Sequence, residues 1–259
     1  MLLGINIDHI AVLREARKVN DPDPLDAISL VKRSGADQIT IHLREDRRHI
    51  NDDDASKIIQ NAQLPVNLEC SINEEIIEKV LELRPHRATL VPEKREEVTT
   101  EGGLDVYKNQ TRITDIAKRL AKEHIELSLF IDPTSAMIEA SQQTGAQWVE
   151  LHTGLYANIY AMLYSNLSRS AHSIKALELD RESLHVKLIE ATHELEMAAK
   201  YAHQLGLKVA AGHGLNYHNV KRIVQIKEIC ELNIGQSIIA RSVFVGFESA
   251  IKEMLGLLR

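Results

Sequence analysis

The chain alternates short apolar runs with amphipathic helical patterns, and it does so eight times over 259 residues. Each run has the length of a β-strand and is followed by apolar residues at the spacing of one helical face. The runs lie at residues 2–8, 38–43, 65–71, 87–91, 126–132, 147–153, 208–212 and 231–234. Because a strand that is always followed by a helix returns to the same end of a sheet, this order predicts parallel pairing.

Eight strand–helix units in a chain of this length favour an α/β fold, the (βα)8 TIM barrel, as a single domain over residues 1–259. Three predicted helices end at Gly35, Gly145 and Gly206, where left-handed backbone geometry is needed. An open doubly wound sheet is the alternative. That fold more often has a glycine-rich first turn, and the segment at Gly4 is not one.

Two segments interrupt the regular spacing. Residues 92–107 form a long polar connection around Gly102 and Gly103, which suits a mobile lid with a glycine hinge or, alternatively, a surface loop. Residues 156–184 are apolar enough for one or two added helices after the sixth strand. This insertion could cover a site or form a subunit contact, and the sequence leaves both readings open.

Composition limits the classes of partner. A net charge of -6 and a pI near 6.1 argue against nucleic-acid binding but leave room for a small phosphate compound. Asp8 and His9 interrupt the only apolar stretch near the start, so we expect no signal peptide, no membrane span and a cytoplasmic protein. Cys70 and Cys230 lie in apolar runs without metal or redox spacing, which predicts reduced core residues.

Polar side chains end four of the runs in pairs two residues apart. In a (βα)8 barrel the carboxyl ends of the strands form the active-site mouth, and alternate residues of a strand share one face. Any one pair could merely cap a loop, but together they indicate a site. The pairs are Asn6 and Asp8, Thr40 and His42, Asn67 and Glu69, and Glu150 and His152.

Two places in the sequence suit phosphate groups. Residues 42–49 are rich in arginine and histidine, and Arg44 and His49 are the favoured anion ligands of that segment. The last strand leads through Gly235 into a helix whose free N–H groups could bind a second phosphate. His213, between small residues after the seventh strand, is a candidate acid or base, with a buried structural histidine as the other reading.

A metal site is the rival chemistry, because the chain has 12 histidines and Asp8 with His9 could begin a ligand set. The sequence contains neither His-Glu-x-x-His nor Cys-x-x-Cys, and it has no His-x-His at the end of the first strand. We therefore predict no metal ligands.

Six motifs resemble the pyridoxine 5'-phosphate synthase family, and the resemblance extends from the first strand to the last helix. The motifs are NIDHI at 6–10, HLREDRRH at 42–49, NLE at 67–69, VPEKR with VTTEGGLD within 91–105, AGHGL at 211–215 and ELNIG at 231–235. The resemblance implies a (βα)8 barrel that condenses 3-amino-2-oxopropyl phosphate with 1-deoxy-D-xylulose 5-phosphate to pyridoxine 5'-phosphate, releasing phosphate and water. It implies a transferase-type reaction with no metal or organic cofactor.

The resemblance also implies roles for individual residues. His42 and Glu69 would accept protons, His213 would donate one, and Glu150 would assist charged intermediates. The amino ketone phosphate would be held by Asn6, Arg17, Gly214, Gly235 and Gln236. The sugar phosphate would be held by Asp8, His9, Arg44, His49 and Thr99.

The chain departs from the family pattern in two places. Many members have histidine after Gly235, whereas this chain has Gln236, which can donate a hydrogen bond but carries no charge. The 156–184 insertion is foreign to shorter members. The family forms octamers, so we expect a homo-oligomer. A phosphosugar isomerase or aldolase, or a non-catalytic phosphometabolite-binding barrel, remain as alternative functions.

Overall fold

Eight parallel strands close into a barrel in the order of the chain, in a computed structural model that describes residues 1–93 and 102–259. The closed order β1 to β8, with β1 paired to β8, excludes the open sheet and confirms the (βα)8 barrel. The strands are β1 Leu2–Asn6, β2 Gln38–His42, β3 Val66–Cys70, β4 Arg87–Leu90, β5 Glu126–Ile131, β6 Trp148–His152, β7 Lys208–Gly212 and β8 Ile229–Ile234.

Helices follow the strands and surround the barrel. They are α1 Asp8–Arg17, α2 Pro24–Ser34, α3 Asp52–Asn61, α4 Glu74–Leu83, α5 Val106–Lys122, α6 Ser135–Thr144, α7 Gly154–Tyr164, α8 Arg181–Gln204, α9 Val220–Ile223, α10 Gln236–Val245 and α11 Phe247–Leu258. Helix α7 and two short 3-10 turns, Leu167–Arg169 and Lys175–Leu177, fill most of the predicted insertion after β6. The extra helical segment is confirmed.

Local sequence signals place several helix ends as predicted. Asn51 and Asp54 form a capping box at the start of α3, each side chain accepting the other's backbone N–H. Gly35, Gly145 and Gly206 have φ values of 86°, 85° and 81°, the left-handed region that a side chain disfavours. These glycines therefore end their helices as the sequence indicated.

Two boundary predictions and one burial prediction were wrong. Asp8 does not extend β1 but begins α1, a helix that the sequence reading missed. Val106 and Tyr107, assigned to the long polar connection, already belong to α5. Cys230 is only partly buried, although both cysteines are free. The proposed lid falls largely on residues 94–101, which lie outside the described part of the chain.

The apolar core lies between the barrel and the helices. Outward-facing strand residues such as Ile5, Ile41 and Leu68 are completely buried there. The alternate residues point into the barrel, and many of them are polar, which directs hydrogen-bonding groups toward the mouth. In the ranges described above, no helix combines the length and hydropathy needed to cross a membrane.

Candidate active site

The floor of the mouth is an amide held between three strands. The Asn233 Nδ2 group donates a hydrogen bond of 2.7 Å to Glu150 Oε2. Its Oδ1 atom accepts from Thr40 Oγ1 at 3.1 Å and from Gln38 Nε2 at 3.3 Å. Because the oxygen is taken by two donors, the amide cannot flip, and its N–H groups face Glu150. A Cβ at Gly212 would lie 2.3 Å from Glu150 Oε1, so glycine leaves room for this carboxyl group.

Two glutamates above this floor have raised pKa values. Burial raises the pKa of Glu150 to about 7, the hydrogen bond from Asn233 acts in the opposite direction, and the Glu231 charge adds to the rise. Burial also raises the pKa of Glu69 well above its usual range, with contributions from the charges of Glu150 and Asp8. Carboxyl groups with such pKa values can hold or accept a proton near neutral pH.

His42 lies between two carboxyl groups at the end of β2. Its Nε2 atom lies 2.9 Å from Glu93 Oε1, and its Nδ1 atom lies 3.9 Å from Glu69 Oε2. The backbone N–H of His42 donates to Asp8 Oδ1 at 2.8 Å, while Asn6 Nδ2 donates to Asp8 Oδ2 at 2.8 Å. The predicted Asn6 and Asp8 pair thus holds the strand end that carries His42.

His213 lies on the opposite side of the mouth in a restricted backbone conformation. Its φ is 79°, followed by 78° at Gly214. The His213 ring contacts His152 edge-on at 5.1 Å between centroids, and His152 Nδ1 lies 3.2 Å from Asp132 Oδ1. Burial, together with the neighbouring His152, lowers the pKa of His213 to about 4. This environment therefore favours the neutral ring at neutral pH.

Glycines keep the mouth open where β7 and β8 meet their loops. A Cβ at Gly235 would lie 2.9 Å from both Cβ and the backbone oxygen of Asn6, and one at Gly214 would lie 2.6 Å from Ala157 Cβ. Gly235 is the N-cap of α10, and Gln236 is its exposed first residue. The first N–H groups of an α-helix have no partner within the helix, so this end can receive an anion.

The loop after β2 forms a polar rim. Arg44 donates from Nε to Asp46 Oδ1 at 3.2 Å and helps to line a cavity of about 250 Å³ with Glu93. His49 accepts the Ile50 N–H at Nδ1, so its Nε2 carries the proton of the neutral ring. Burial lowers the pKa of His49 and of the neighbouring His9.

One predicted ligand, Arg17, lies away from this cluster, and another, Thr99, is not described. Arg17 is the exposed last residue of α1, nine positions after Asp8, or about 13 Å along the helix axis. Within residues 1–93 and 102–259 its guanidinium has no hydrogen bond or ion pair. Thr99 lies outside the described residues, so its placement stays a prediction.

A metal-like grouping occurs in the same mouth. One ligand atom each from Asp8, His42 and Glu69 lies within 4.8 Å of the others. However, both Asp8 oxygens already accept hydrogen bonds, from Asn6 and from the His42 backbone. Both oxygens thus have donors fixed by the fold, and these hydrogen bonds alone explain why the Asp8 carboxylate lies here.

The sequence reading assigned no role to Glu93, Asn233 or Asp132. Glu93 was visible inside the VPEKR motif, but its partner His42 is 51 residues away, and no local pattern pairs them. Asn233 alternates with Glu231 on β8, which was a usable signal for an inward-facing side chain. The alternation on β6 pairs His152 with Glu150, but its contact with His213 cannot be read from the sequence, because it forms only when the barrel closes.

The fold and this mouth define a (βα)8 barrel with an acid–base site at the carboxyl ends of its strands. The chain belongs to the family described as pyridoxal phosphate biosynthesis protein PdxJ, whose model matches residues 3–259. The resemblance drawn from the motifs is thereby confirmed.

Curated relatives match along nearly the full chain. Pyridoxine 5'-phosphate synthase of a Nitratiruptor species is 65% identical over 254 residues, covering 98% of this chain and 96% of the relative. The enzyme of the same name from a Sulfurovum species is 63% identical, with 100% of both chains covered. A solved phosphoribosyl anthranilate isomerase from Thermococcus kodakaraensis has a TM-score of 0.61 at 12% identity, covering 100% of this chain and 98% of that one, which shows the fold alone.

Proposed function

We propose that the chain condenses 3-amino-2-oxopropyl phosphate with 1-deoxy-D-xylulose 5-phosphate, closing the pyridine ring of pyridoxine 5'-phosphate and releasing phosphate and water. The observation that carries the proposal is the meeting of His42, Glu69, Glu150 and His213 in one mouth of a barrel whose relatives bear that name. Addition of the amine, loss of phosphate and water, and ring closure each move protons, so the reaction needs several acids and bases.

His42 and Glu69 are the proposed proton acceptors. Their facing atoms, Nδ1 and Oε2, are 3.9 Å apart, so a proton taken by one can be shared with the other. The raised pKa of Glu69 makes its carboxylate a stronger base than an exposed glutamate. A substrate ammonium group entering between Glu69 and Glu150 would favour their ionised forms. Glu150 would then stabilise the positively charged intermediates.

His213 is the proposed proton donor, and its low pKa requires an explanation. Burial and His152 favour the neutral ring. Two phosphorylated substrates bring several negative charges into the mouth, and such charges stabilise an imidazolium ion. We therefore expect His213 to take up a proton when the substrates bind. The charged ring can then donate this proton to a leaving group.

The phosphate groups occupy opposite sides of the mouth in this proposal. Asn6, Gly214, Gly235 and Gln236 hold the amino ketone phosphate, and Arg17, which lies away from the cluster in the structure, would have to turn toward it. Asp8, His9, Arg44, His49 and Thr99 hold the sugar phosphate. The free N–H groups at the start of α10 support the first site, and the Arg44 guanidinium with the Nε2 proton of His49 supports the second.

The test mixes the purified protein with both substrates, with and without EDTA, and follows inorganic phosphate and pyridoxine 5'-phosphate. Equal release of both products, unchanged by EDTA, is the expected result. Conversion of one substrate in the absence of the other, with no phosphate released, would favour the isomerase or aldolase class. Binding of both substrates without any product would favour a metabolite sensor, and loss of activity in EDTA would show that a metal is needed.

The oligomeric state and the cellular location complete the proposal. We propose a homo-oligomer, because apolar side chains remain exposed on α8 and α10, including Ile189 at 66% and Phe244 at 83%. Size-exclusion chromatography with light scattering measures the assembly, and a monomer at micromolar concentration would contradict it. We also propose a cytoplasmic location, which agrees with two free cysteines.

A further inference from the structure

We propose that Glu93 is a positioning residue for His42, and that it fixes the ring proton on Nε2 so that Nδ1 presents a lone pair to the mouth. The proposal rests on the proposed function, because it gives a reason why His42 acts as a proton acceptor. Neither the motif reading nor the family roles assigned a task to Glu93.

The Glu93 carboxylate is itself rigidly held. Its side chain is only 5% exposed, and its Oε1 lies 2.9 Å from His42 Nε2. Its Oε2 accepts the backbone N–H of Glu45 at 3.0 Å and lies 4.0 Å from Arg44 Nη2. Each oxygen thus has its own donor, and one of these donors is a backbone group that cannot change its protonation.

The carboxylate determines which ring nitrogen carries the proton. Burial acts to raise the pKa of Glu93, but the hydrogen bond and charge of His42, the Glu45 N–H and the Arg44 charge together lower it. An ionised carboxylate only accepts hydrogen bonds, so His42 Nε2 must be the protonated nitrogen. In the neutral ring the lone pair is then on Nδ1, which faces Glu69.

Other contacts fix the ring in place but leave its tautomer open. The His42 backbone N–H is held by Asp8, and the His49 ring lies 6.1 Å away, centroid to centroid. A carboxyl group at Glu69 can donate to Nδ1 or accept from it, depending on its own proton. Among the described residues, Glu93 is therefore the one neighbour that can only accept a hydrogen bond from the ring.

The test is Glu93→Gln. The amide has the same shape as the carboxylate, but it has only one oxygen and so can accept from the Glu45 N–H or from His42, not from both. The Glu45 N–H is a donor in every state, so the glutamine oxygen must accept from it. The glutamine NH2 group then faces His42 Nε2, which has to become the acceptor. We expect the ring proton to move to Nδ1, which removes the lone pair that accepts the substrate proton. The kcat value should then fall on the order of a hundredfold or more, while KM for both substrates changes little.

The tautomer is read directly by 15N magic-angle-spinning NMR on the intact protein labelled with [15N]histidine. The chain has 12 histidines, and the signals that vanish in His42→Asn assign this one. Glu75→Gln is the matched control. It also replaces a carboxylate by an amide near the loop after β2, but Glu75 is exposed and lies 3.7 Å from Arg47 rather than beside His42. We expect its tautomer and kcat to match those of the wild type.

A wild-type His42 ring protonated on Nδ1 overturns the proposal, and this measurement needs no Glu93 variant. A Glu93→Gln protein with unchanged kcat, or with lower kcat and an unchanged tautomer, overturns it as well. The NMR arm does not depend on turnover. If the wild type makes no pyridoxine 5'-phosphate, the proposed function fails while the Glu93–His42 tautomer is still decided.

Discussion

Glu150→Gln should stabilise the folded protein, and the stabilisation should grow as pH rises from about 4.5 to above 7. The pKa of Glu150 is about 7 in the folded protein, against 4.5 for an unperturbed glutamate. At about 1.4 kcal/mol per pH unit, this difference makes the ionised folded form about 3 kcal/mol less stable than an exposed glutamate would. The protonated folded form carries no such cost.

The sign follows from which state binds the proton more tightly. Below pH 4.5 the carboxyl group is protonated in both states, and the stabilising effect of its raised pKa is fully present. As pH rises from 4.5 through 7 this stability is lost, because the unfolded protein ionises the group freely whereas the folded protein must either keep the proton or ionise a buried group. The amide of Glu150→Gln does not titrate and can still accept the hydrogen bond from Asn233.

Urea denaturation measures the effect. Trp148, the chain's single tryptophan, is buried on β6 and reports unfolding by fluorescence. We expect Glu150→Gln to exceed the wild type by less than about 1 kcal/mol at about pH 5 and by about 3 kcal/mol at about pH 8.5. Both proteins are compared at one protomer concentration, because assembly contributes to stability.

Glu190→Gln on α8 is the control for the loss of a carboxylate, since Glu190 is exposed and makes no hydrogen bond or ion pair within the described ranges. We expect it to change the free energy of unfolding by less than about 0.5 kcal/mol at either pH. If Glu150→Gln differs from the wild type equally at both pH values, Glu150 does not have a raised pKa and the reasoning is wrong.

Three further results are expected. Glu69→Gln should keep the fold and substrate affinity but lower kcat about a hundredfold or more, measured by steady-state kinetics with circular dichroism as the folding check; unchanged turnover would remove Glu69 from the mechanism. Gly4→Ala should destabilise by about 1–3 kcal/mol in urea, because its Cβ would lie 2.1 Å from Asn233 Oδ1, whereas Gly256→Ala, with open space around it, should stabilise by about 0.5–1 kcal/mol. Equal effects would contradict the steric account. Binding of the two substrates to Glu69→Gln should be accompanied by proton uptake by His213 near neutral pH. Calorimetry detects this uptake as a binding enthalpy that depends on the buffer, and the dependence should disappear when His213→Asn is added. Persistence of the uptake would assign the proton to another group.

Local patterns were sufficient to predict the barrel. Each strand is short and apolar, and turn residues such as Gly35 and the Asn51 cap mark helix ends within a few positions. Helix α1 was missed because Ile7 precedes it without a side-chain cap. A signal did exist in its charges, since Asp8 stands in the first turn and Arg14 with Arg17 in the last, an order that suits the helix dipole.

The site was predictable only one strand at a time. Alternation along a strand indicated that Glu69 and Glu150 face the mouth, because that property is local. It could not pair His42 with Glu93, or His152 with Asp132, since those contacts join neighbouring loops and strands of a closed barrel. Their pKa values were equally out of reach, because burial and neighbouring charges are properties of the assembled mouth.

The alternation of buried apolar and inward polar residues divides each strand between two tasks. On β2, Ile39 and Ile41 contact the helices, whereas Thr40 and His42 face the interior. A protein engineer who wants another reaction from this barrel would therefore vary every second strand residue and leave the intervening ones unchanged. The exception is a position such as Asn233, where one amide joins three strands, so that redesign of the chemistry there also redesigns the scaffold.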